Sequence, residues 1–525
     1  MPRREHLVLC GGAGTPEPAG ARSLRLDLHG SSPNVKLRIQ DISARLVSNI
    51  PDGLVDLLEV ASYVYAADAA ISRGGKVDAQ MGARWRRSLR FVIPVRCPEI
   101  WQEPAVSSAL TEVLGFLSDD LYRFEFSSLK QRPPVQPYFE FSGEEAHGFS
   151  PDEVVLFSGG LDSFGGVVEE LAVRGKAVAL VSHRSAAKIA PVQMNLVADL
   201  RKRFGRSRIL HVPVWVNVVG ELGRESTHRT RSFLFAALGA VTARLFGLDR
   251  IKLFENGIVS LNLPLAAQVV GARATRTTHP QVLAGFGGLL STLFGRPIEA
   301  ENPFAWRTKA EILEQISENG FGRLIRNTRS CTRVHDMTIL HPHCGQCSQC
   351  IDRRFAVLAA GLDGEDPEEA YKVDLLTGAR RAGSDRAMAL AYVRFATEIN
   401  RMTDVSFFRG LARPVALLAA IPSLRARSPN EFCSFIDGMP PPSAAWSTRL
   451  SRSIEAPCEK EPCRPLVSCL SSRREAQGRH MKRGVRQHLR RSALIKRTPR
   501  RSRLERSVWL SIQRRRRWCL APGGL

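Results

Sequence analysis

Residues Val154–Ser163 read VVLFSGGLDS. Val154–Phe157 is a short run of β-branched and aromatic residues, the composition of a buried strand. Ser158-Gly159-Gly160 follows it, and a helical pattern starts from Asp162. Lacking Cβ atoms, Gly159 and Gly160 let the backbone turn sharply and bring N–H groups close to an anion. Ser158 and Ser163 add hydroxyl donors. Asp162 would repel phosphate unless a cation such as Mg²⁺ bridges its carboxylate and the phosphate oxygens. No Gly-Lys-Ser/Thr follows the glycines, so this is not a Walker A loop. The plainer reading of the same residues is an ordinary strand–turn–helix with a Gly-rich turn.

The pattern around this stretch alternates strand and helix. Val154–Phe157, Ala177–Ser182, Arg208–Val214 and Arg250–Phe254 read as strands. Asp162–Arg174, Lys188–Phe204 and Arg231–Phe246 read as the helices between them. Apolar strands separated by amphipathic helices imply an α/β fold, a parallel sheet with helices on both faces. Ligands of such sheets sit at the carboxyl ends of the strands. Ser158–Ser163, Ser182-His183 and Glu255–Gly257 would converge there.

The sequence divides into four parts. Residues 1–145 read as an α+β accessory domain, with helical patterns at Leu54–Ala70 and Leu110–Leu121 and a strand at Phe91–Val95. Gln131–Phe149, with Pro133, Pro134 and Pro137, reads as a linker. Residues 152–300 form the nucleotide-binding part and 301–425 a helical, zinc-binding part. Residues 426–525 read as a basic, disordered tail.

The net charge of +24 belongs mostly to that tail. Residues 441–525 hold 22 Lys and Arg against 5 Asp and Glu, while the other 440 residues hold 53 against 46. Pairs such as Arg490-Arg491 and the run Arg514–Arg517 recur among Ser, Pro and Cys with weak periodicity. The tail reads either as an arm binding nucleic acid through phosphates or as an inert, out-of-frame extension. No apolar run reaches the roughly 18 residues of a membrane span; Phe233–Leu248 comes nearest, and Arg244 interrupts it. The start MPRREHLVLCGG is too short in apolar residues for a signal peptide. The expectation is a cytoplasmic protein without a membrane partner.

Cys331, Cys344, Cys347 and Cys350 have the spacing Cys-x12-Cys-x2-Cys-x2-Cys. Four thiolates in a short, loop-rich segment suggest tetrahedral Zn²⁺. An iron–sulfur cluster uses the same ligands, and reduced buried thiols are the plainest alternative. His335, His341 and His343 lie nearby as competing ligands. Cys10, Cys97 and Cys433 are isolated, and Cys458, Cys463, Cys469 and Cys519 fall in the tail.

Ser158–Ser163 resembles the SGGxDS signature of the PP-loop ATP pyrophosphatases. Together with the cysteines it resembles the 7-cyano-7-deazaguanine synthase (QueC-type) family. That family carries a late Ser-Cys and then CGxCxxCxxR; here stand Ser330-Cys331 and the run from Cys344-Gly345 through Cys347 and Cys350 to Arg353. Arg229–Leu234 resembles the family's RNxxFL helix start, and Pro303–Ile312, containing Thr308-Lys309-Ala310-Glu311, resembles its xTKAEI segment. The resemblance spans about residues 152–362.

It implies an ATP-dependent C–N ligase. ATP would be cleaved between its α and β phosphates to adenylate 7-carboxy-7-deazaguanine or a related acceptor. Ammonia would give the amide, and a second activation with loss of AMP the nitrile. The resemblance assigns Ser158, Gly159, Gly160, Leu161, Asp162 and Ser163 to pyrophosphate and Mg²⁺. It makes Asp162, Lys309 and Arg229 the catalytic candidates and the four cysteines a structural zinc site. Lys309 as a solvated helix-start residue and Arg229 as a helix-cap or surface arginine are the plainer readings. Arg353 reads equally as a cap of the zinc loop.

The family's substrate segment DxxxYPDCR is missing; Glu255-Asn256-Gly257-Ile258 and Ala274–Pro280 stand in that region. This departure and the long N-terminal region resemble the QueC-like proteins of anti-phage operons (QatC type), where the acceptor is a different small molecule or a protein partner from the same operon. Two other functions fit the motifs. One is a tRNA-modifying PP-loop enzyme of the thiolase type, holding RNA with its tail. The other is a non-catalytic nucleotide sensor.

Overall fold

The structure is a computed structural model. It describes residues 5–399 apart from 15–21, 31, 43–48, 74–84, 132–148, 185–186, 226–227, 264–275 and 381–382. The expected tail, most of the expected linker and Ala274-Thr275 lie outside the described residues.

Ahead of the VVLFSGGLDS stretch come β1 (Glu5–Cys10), β2 (Arg22–Leu26), β3 (Val35–Leu37), α1 (Asp52–Ala70), β4 (Ser88–Val95), α2 (Pro104–Ser118) and β5 (Leu121–Ser128). Four of these strands make a sheet in the order β2-β1-β4-β5, and every pair is parallel. The α+β expectation for this region is therefore corrected to α/β. Parallel neighbours need crossovers, and α2 supplies the one between β4 and β5. The helical pattern through Leu121 also ends early. Asp119 takes the left-handed conformation at φ 66° and closes α2.

The region around the Val154–Ser163 stretch supplies β6 (Glu153–Leu156), α3 (Leu161–Val168, extended by a wide turn through Val173), β7 (Val178–Arg184) and α4 (Ala190–Phe204). There follow β8 (Ile209–Val218), α5 (Arg231–Leu245), β9 (Arg250–Lys252), α6 (Pro280–Phe294), β10 (Glu299–Glu301) and α7 (Lys309–Glu318). Helices α8 (Ser348–Ala359) and α9 (Ser384–Ile399) complete the described chain. The second sheet has the order β10-β9-β6-β7-β8-β3. All its pairs are parallel except β3 with β8, where Val35 faces Val218.

The strands alternate between two cores, as their period of two requires. Val154, Leu156, Ala179 and Val181 join one cluster with α1, α5 and α6. Val155, Phe157, Val178 and Leu180 join another with α3, α4 and α7. The first cluster also takes in Val8, Phe91 and Ile93 of the N-terminal sheet. The N-terminal region thus shares its core, and through β3 a sheet, with the region that follows.

Helix α1 is buried from Leu54 to Ala69, so each of its acids needs a partner. Asp56 and Glu59 hold Arg96 at 3.0 and 2.8 Å. Asp68 pairs with Arg87 at 2.5 Å and Arg73 at 3.2 Å, and accepts the Thr230 N–H at 2.8 Å. Asp120 binds the same two arginines, both at 2.6 Å. One buried four-charge network therefore ties the first sheet to the start of α5.

Helix α3 approaches the sheet and α7 across Gly165-Gly166. A Cβ at Gly166 would lie 2.0 Å from the Phe254 ring, and one at Gly165 2.5 Å from Ile312. Gly166→Ala is expected to destabilise the fold by about 1–3 kcal/mol, the range for overpacking a core. The midpoint of urea unfolding measures it; an unchanged midpoint would contradict this packing.

Candidate functional site

The order β10-β9-β6-β7-β8 changes direction at β6. The chain moves from β6 to β7 and β8 on one side, while β9 and β10 lie on the other. Such a reversal opens a crevice beyond the carboxyl ends of the two central strands, here β6 and β9. Ser158–Ser163 leaves β6 at that point, and Glu255-Asn256 leaves β9.

The loop is built as its sequence implied. Gly159 takes φ 80°, which a side chain would strain. A Cβ there would also press on Gln193 at 3.2 Å. Ser158 Oγ lies 3.0 Å from Ser163 Oγ and accepts the Gly160 N–H at 3.2 Å. Gly160 is the N-cap of α3, and no side chain caps this helix. Its first-turn N–H groups therefore face the crevice without a side-chain acceptor, an arrangement suited to an anion.

Asp162 sits in that first turn. Its Oδ2 accepts from Asn256 Nδ2 at 2.8 Å and lies 3.2 Å from Lys309 Nζ. Its Oδ1 is buried and has no hydrogen-bond partner among the described residues. Lys309 is the first residue of α7, set by a capping box in which Thr308 and Glu311 bond reciprocally. An ammonium at a helix N-terminus opposes the helix dipole, and only 2 % of this side chain is exposed. Burial lowers the Lys309 pKa, but the Asp162 and Asp352 carboxylates outweigh it and raise the group above its usual value. Asp352 completes the cluster from α8, 3.1 Å from Lys309 Nζ.

Glu255 forms the other wall. Thr278 Oγ1 donates to it at 2.7 Å, and Asn302 clamps its backbone on both sides. Burial pushes the Glu255 carboxyl up to about 7. The Asp162 and Asp352 charges add to the shift; the Thr278 hydroxyl and Lys309 oppose it. Three acids thus surround one buried ammonium.

Cys331, Cys344, Cys347 and Cys350 come together as their spacing implied. All four are buried, and their sulfurs lie within 4.8 Å of one another, close enough to hold one metal ion such as zinc. The Gln346 and Cys347 N–H groups point at Cys344 Sγ, at 3.4 and 3.3 Å. Gly345 makes the turn with φ 69°, and a Cβ there would collide with Val373 O at 1.8 Å. His343 is buried beside the cluster against the Tyr371 ring, outside the four-sulfur set. Two arms run from this cluster to the crevice. Asp352, two residues past Cys350, reaches Lys309; Arg329, two residues before Cys331, donates its N–H to Gly159 O at 2.9 Å. Arg353 is fully buried, with its guanidinium on Asp366 and Thr328, so it braces this segment.

Other expected residues fall elsewhere. His183 is a core residue with Nε2 on Val216 O, and burial lowers its pKa to about 3. Ser182 donates to Phe157 O beneath the loop. The charges acting on Arg229 are Arg73, Asp68, Glu225 and Arg276, those of the seam between the sheets. Burial and Arg73 lower its pKa to about 10. The sequence reading missed Asp352 and Asn302 and gave Glu255 no chemistry. Asp352 lies inside the quoted run, between Cys350 and Arg353, and that position was its one available signal.

No family model and no curated protein matches this chain. Among the described residues, no helix is long and apolar enough to cross a membrane.

Two outcomes are expected. Cys347→Ser should lower the metal content below one per chain, read by elemental analysis, and lower the Tm, because ligand loss and unfolding are coupled. An unchanged Tm would contradict a structural metal. The raised Glu255 pKa favours folding fully below its usual value of 4.5, and that contribution is lost as pH rises through about 7. Glu255→Gln should flatten this fall in Tm; an unaltered pH profile would refute the assignment.

Proposed function

We propose that this chain is an ATP-dependent ligase of the PP-loop type that activates a carboxylate by adenylation, resembling the 7-cyano-7-deazaguanine synthases. The observation that carries the reading is Asp162 at the switch point. One of its oxygens is buried without a partner, the other is held by Asn256 and Lys309, and it stands in the first turn of an uncapped helix. A carboxylate is out of place beside phosphates unless a cation joins them. Asp162 Oδ1 would hold Mg²⁺, which supplies charge neutralisation at phosphate oxygens.

The chain's own groups fit the remaining roles. The Gly159–Ser163 N–H groups and the Ser158 and Ser163 hydroxyls would bind the pyrophosphate as it leaves, stabilising charge that develops in the transition state. Lys309 fixes Asp162 and adds a positive charge behind it. The acceptor carboxylate attacks the α phosphorus, and pyrophosphate departs. Ammonia then displaces AMP from the acyl adenylate, giving the amide and releasing a proton. A second activation of the amide and loss of AMP would give the nitrile.

Zinc is the proposed metal of the cysteine cluster; four thiolates leave no open position, so its role is structural. The acceptor is a small carboxylate of the 7-carboxy-7-deazaguanine class or a related one. Asn256, Thr278 and Glu255 in place of the missing substrate segment support the related one.

Release of AMP from ATP, measured with 7-carboxy-7-deazaguanine and ammonium, tests the reading. Asp162→Ala should reduce the rate by at least about 100-fold, the scale of one lost electrostatic element, while Asp352 still faces Lys309 and circular dichroism shows a folded chain at the assay temperature. Wild-type AMP release by that variant would overturn the site. Formation of ADP instead of AMP would overturn the reaction class.

A further inference from the structure

A second cavity lies one layer away from the crevice, between α4 and β8. Its volume is about 480 Å³, within the roughly 300–1,000 Å³ of small-molecule sites. One wall is apolar, made by Met194, Val197 and Pro213; the other carries Arg184, Lys202 and Arg206. Met194 is 53 % exposed, unusual for a methionine against a sheet.

The cations are unevenly satisfied. Lys202 pairs with Asp199 at 2.9 Å. The Arg184 side chain has no hydrogen-bond or ion-pair partner among the described residues, and its Nε is buried. Arg206, on an exposed turn after α4, has none either. The buried Arg184 Nε at the cavity wall lacks an acceptor, and a bound anion would supply one. Arginine matches phosphate oxygens with its planar fork. Two such groups on one rim, facing an apolar wall, define a ligand with an anionic head and an apolar or aromatic body.

We propose that this cavity binds a small organic phosphate, a phosphomonoester of about mononucleotide size, at a site distinct from the Ser158–Ser163 loop. The volume admits one such molecule. The two sites are neighbours: His211 lines the cavity and lies 2.9 Å from Ser182 Oγ, which donates to Phe157 O just before the loop. The first turn of α4 connects them as well, since Gln193 Nε2 donates to Ser158 O at 3.2 Å.

Calorimetric titration of the full chain with 1-naphthyl phosphate tests this, with 1-naphthol as the neutral control. One site per chain is expected, together with at least tenfold weaker binding of 1-naphthol. Arg184→Ala and Arg206→Ala should each weaken binding about tenfold, a step of 1.4 kcal/mol. Arg206 is exposed, so its variant separates loss of a contact from loss of the fold. Asp162→Ala should bind the probe like the wild type. The proposal is overturned by absence of binding, by equal affinity for 1-naphthol, by wild-type affinity in both arginine variants, or by loss of binding in Asp162→Ala.

Discussion

The ammonium of Lys309, buried between Asp162 and Asp352, is the contact on which the arrangement of the crevice rests. It joins three elements distant in sequence: the helix after the Ser158–Gly160 turn, the helix it begins, and the helix that carries Cys350. Removing one partner of a buried ion pair costs about 3–5 kcal/mol because the other charge is left uncompensated. A lysine at a helix N-terminus gains nothing from that helix; the two carboxylates alone hold it charged. With Glu255 nearby, the cluster carries more acid than base. Protonation of Glu255 removes part of that excess, and a cation at the free oxygen of Asp162 would remove more.

The same logic of satisfied burial shapes the N-terminal half. Helix α1 lies in the core along most of its length, yet carries Asp56, Glu59 and Asp68. Each acid is answered by an arginine, and Asp68 also accepts the Thr230 N–H at the start of α5. The partners of these acids stand on strand ends and helix starts, so the network fixes how the sheets meet. Arg229, next to Thr230, belongs electrostatically to this seam.

What was legible in the sequence follows from range. The β6–α3 unit, the two strand–helix units after it and strand β9 are local patterns, and their periodicity is set by burial on both faces of a sheet. The cysteine cluster was legible because metal chemistry needs ligands at short spacing. Strands β1, β2, β3, β5 and β10 were missed: β2, β3 and β10 run only three to five residues, and β2, β5 and β10 carry exposed polar positions that break the apolar run. The pairing of β3 with β8 is a contact across more than a hundred residues, and nothing local encodes it. Asp352 was missed for a related reason. Its meaning lies in Lys309, and one sequence does not reveal a buried ion pair.

The cysteine cluster makes physical sense only together with that ion pair. The segment from Thr328 to Arg380 is largely irregular, and around the four cysteines the hydrophobic packing amounts to Tyr371 with Met337 and Ala370 at its edge. That is little apolar surface beside the cysteines to offset the conformational entropy of ordering their loop. Four thiolates on one ion would add to the order, because metal binding supplies folding free energy. The order then passes outward in two directions, through the Arg329 N–H to Gly159 O and through Asp352 to Lys309. A metal held by these cysteines would thereby set the backbone of one wall of the crevice and the charge of the other.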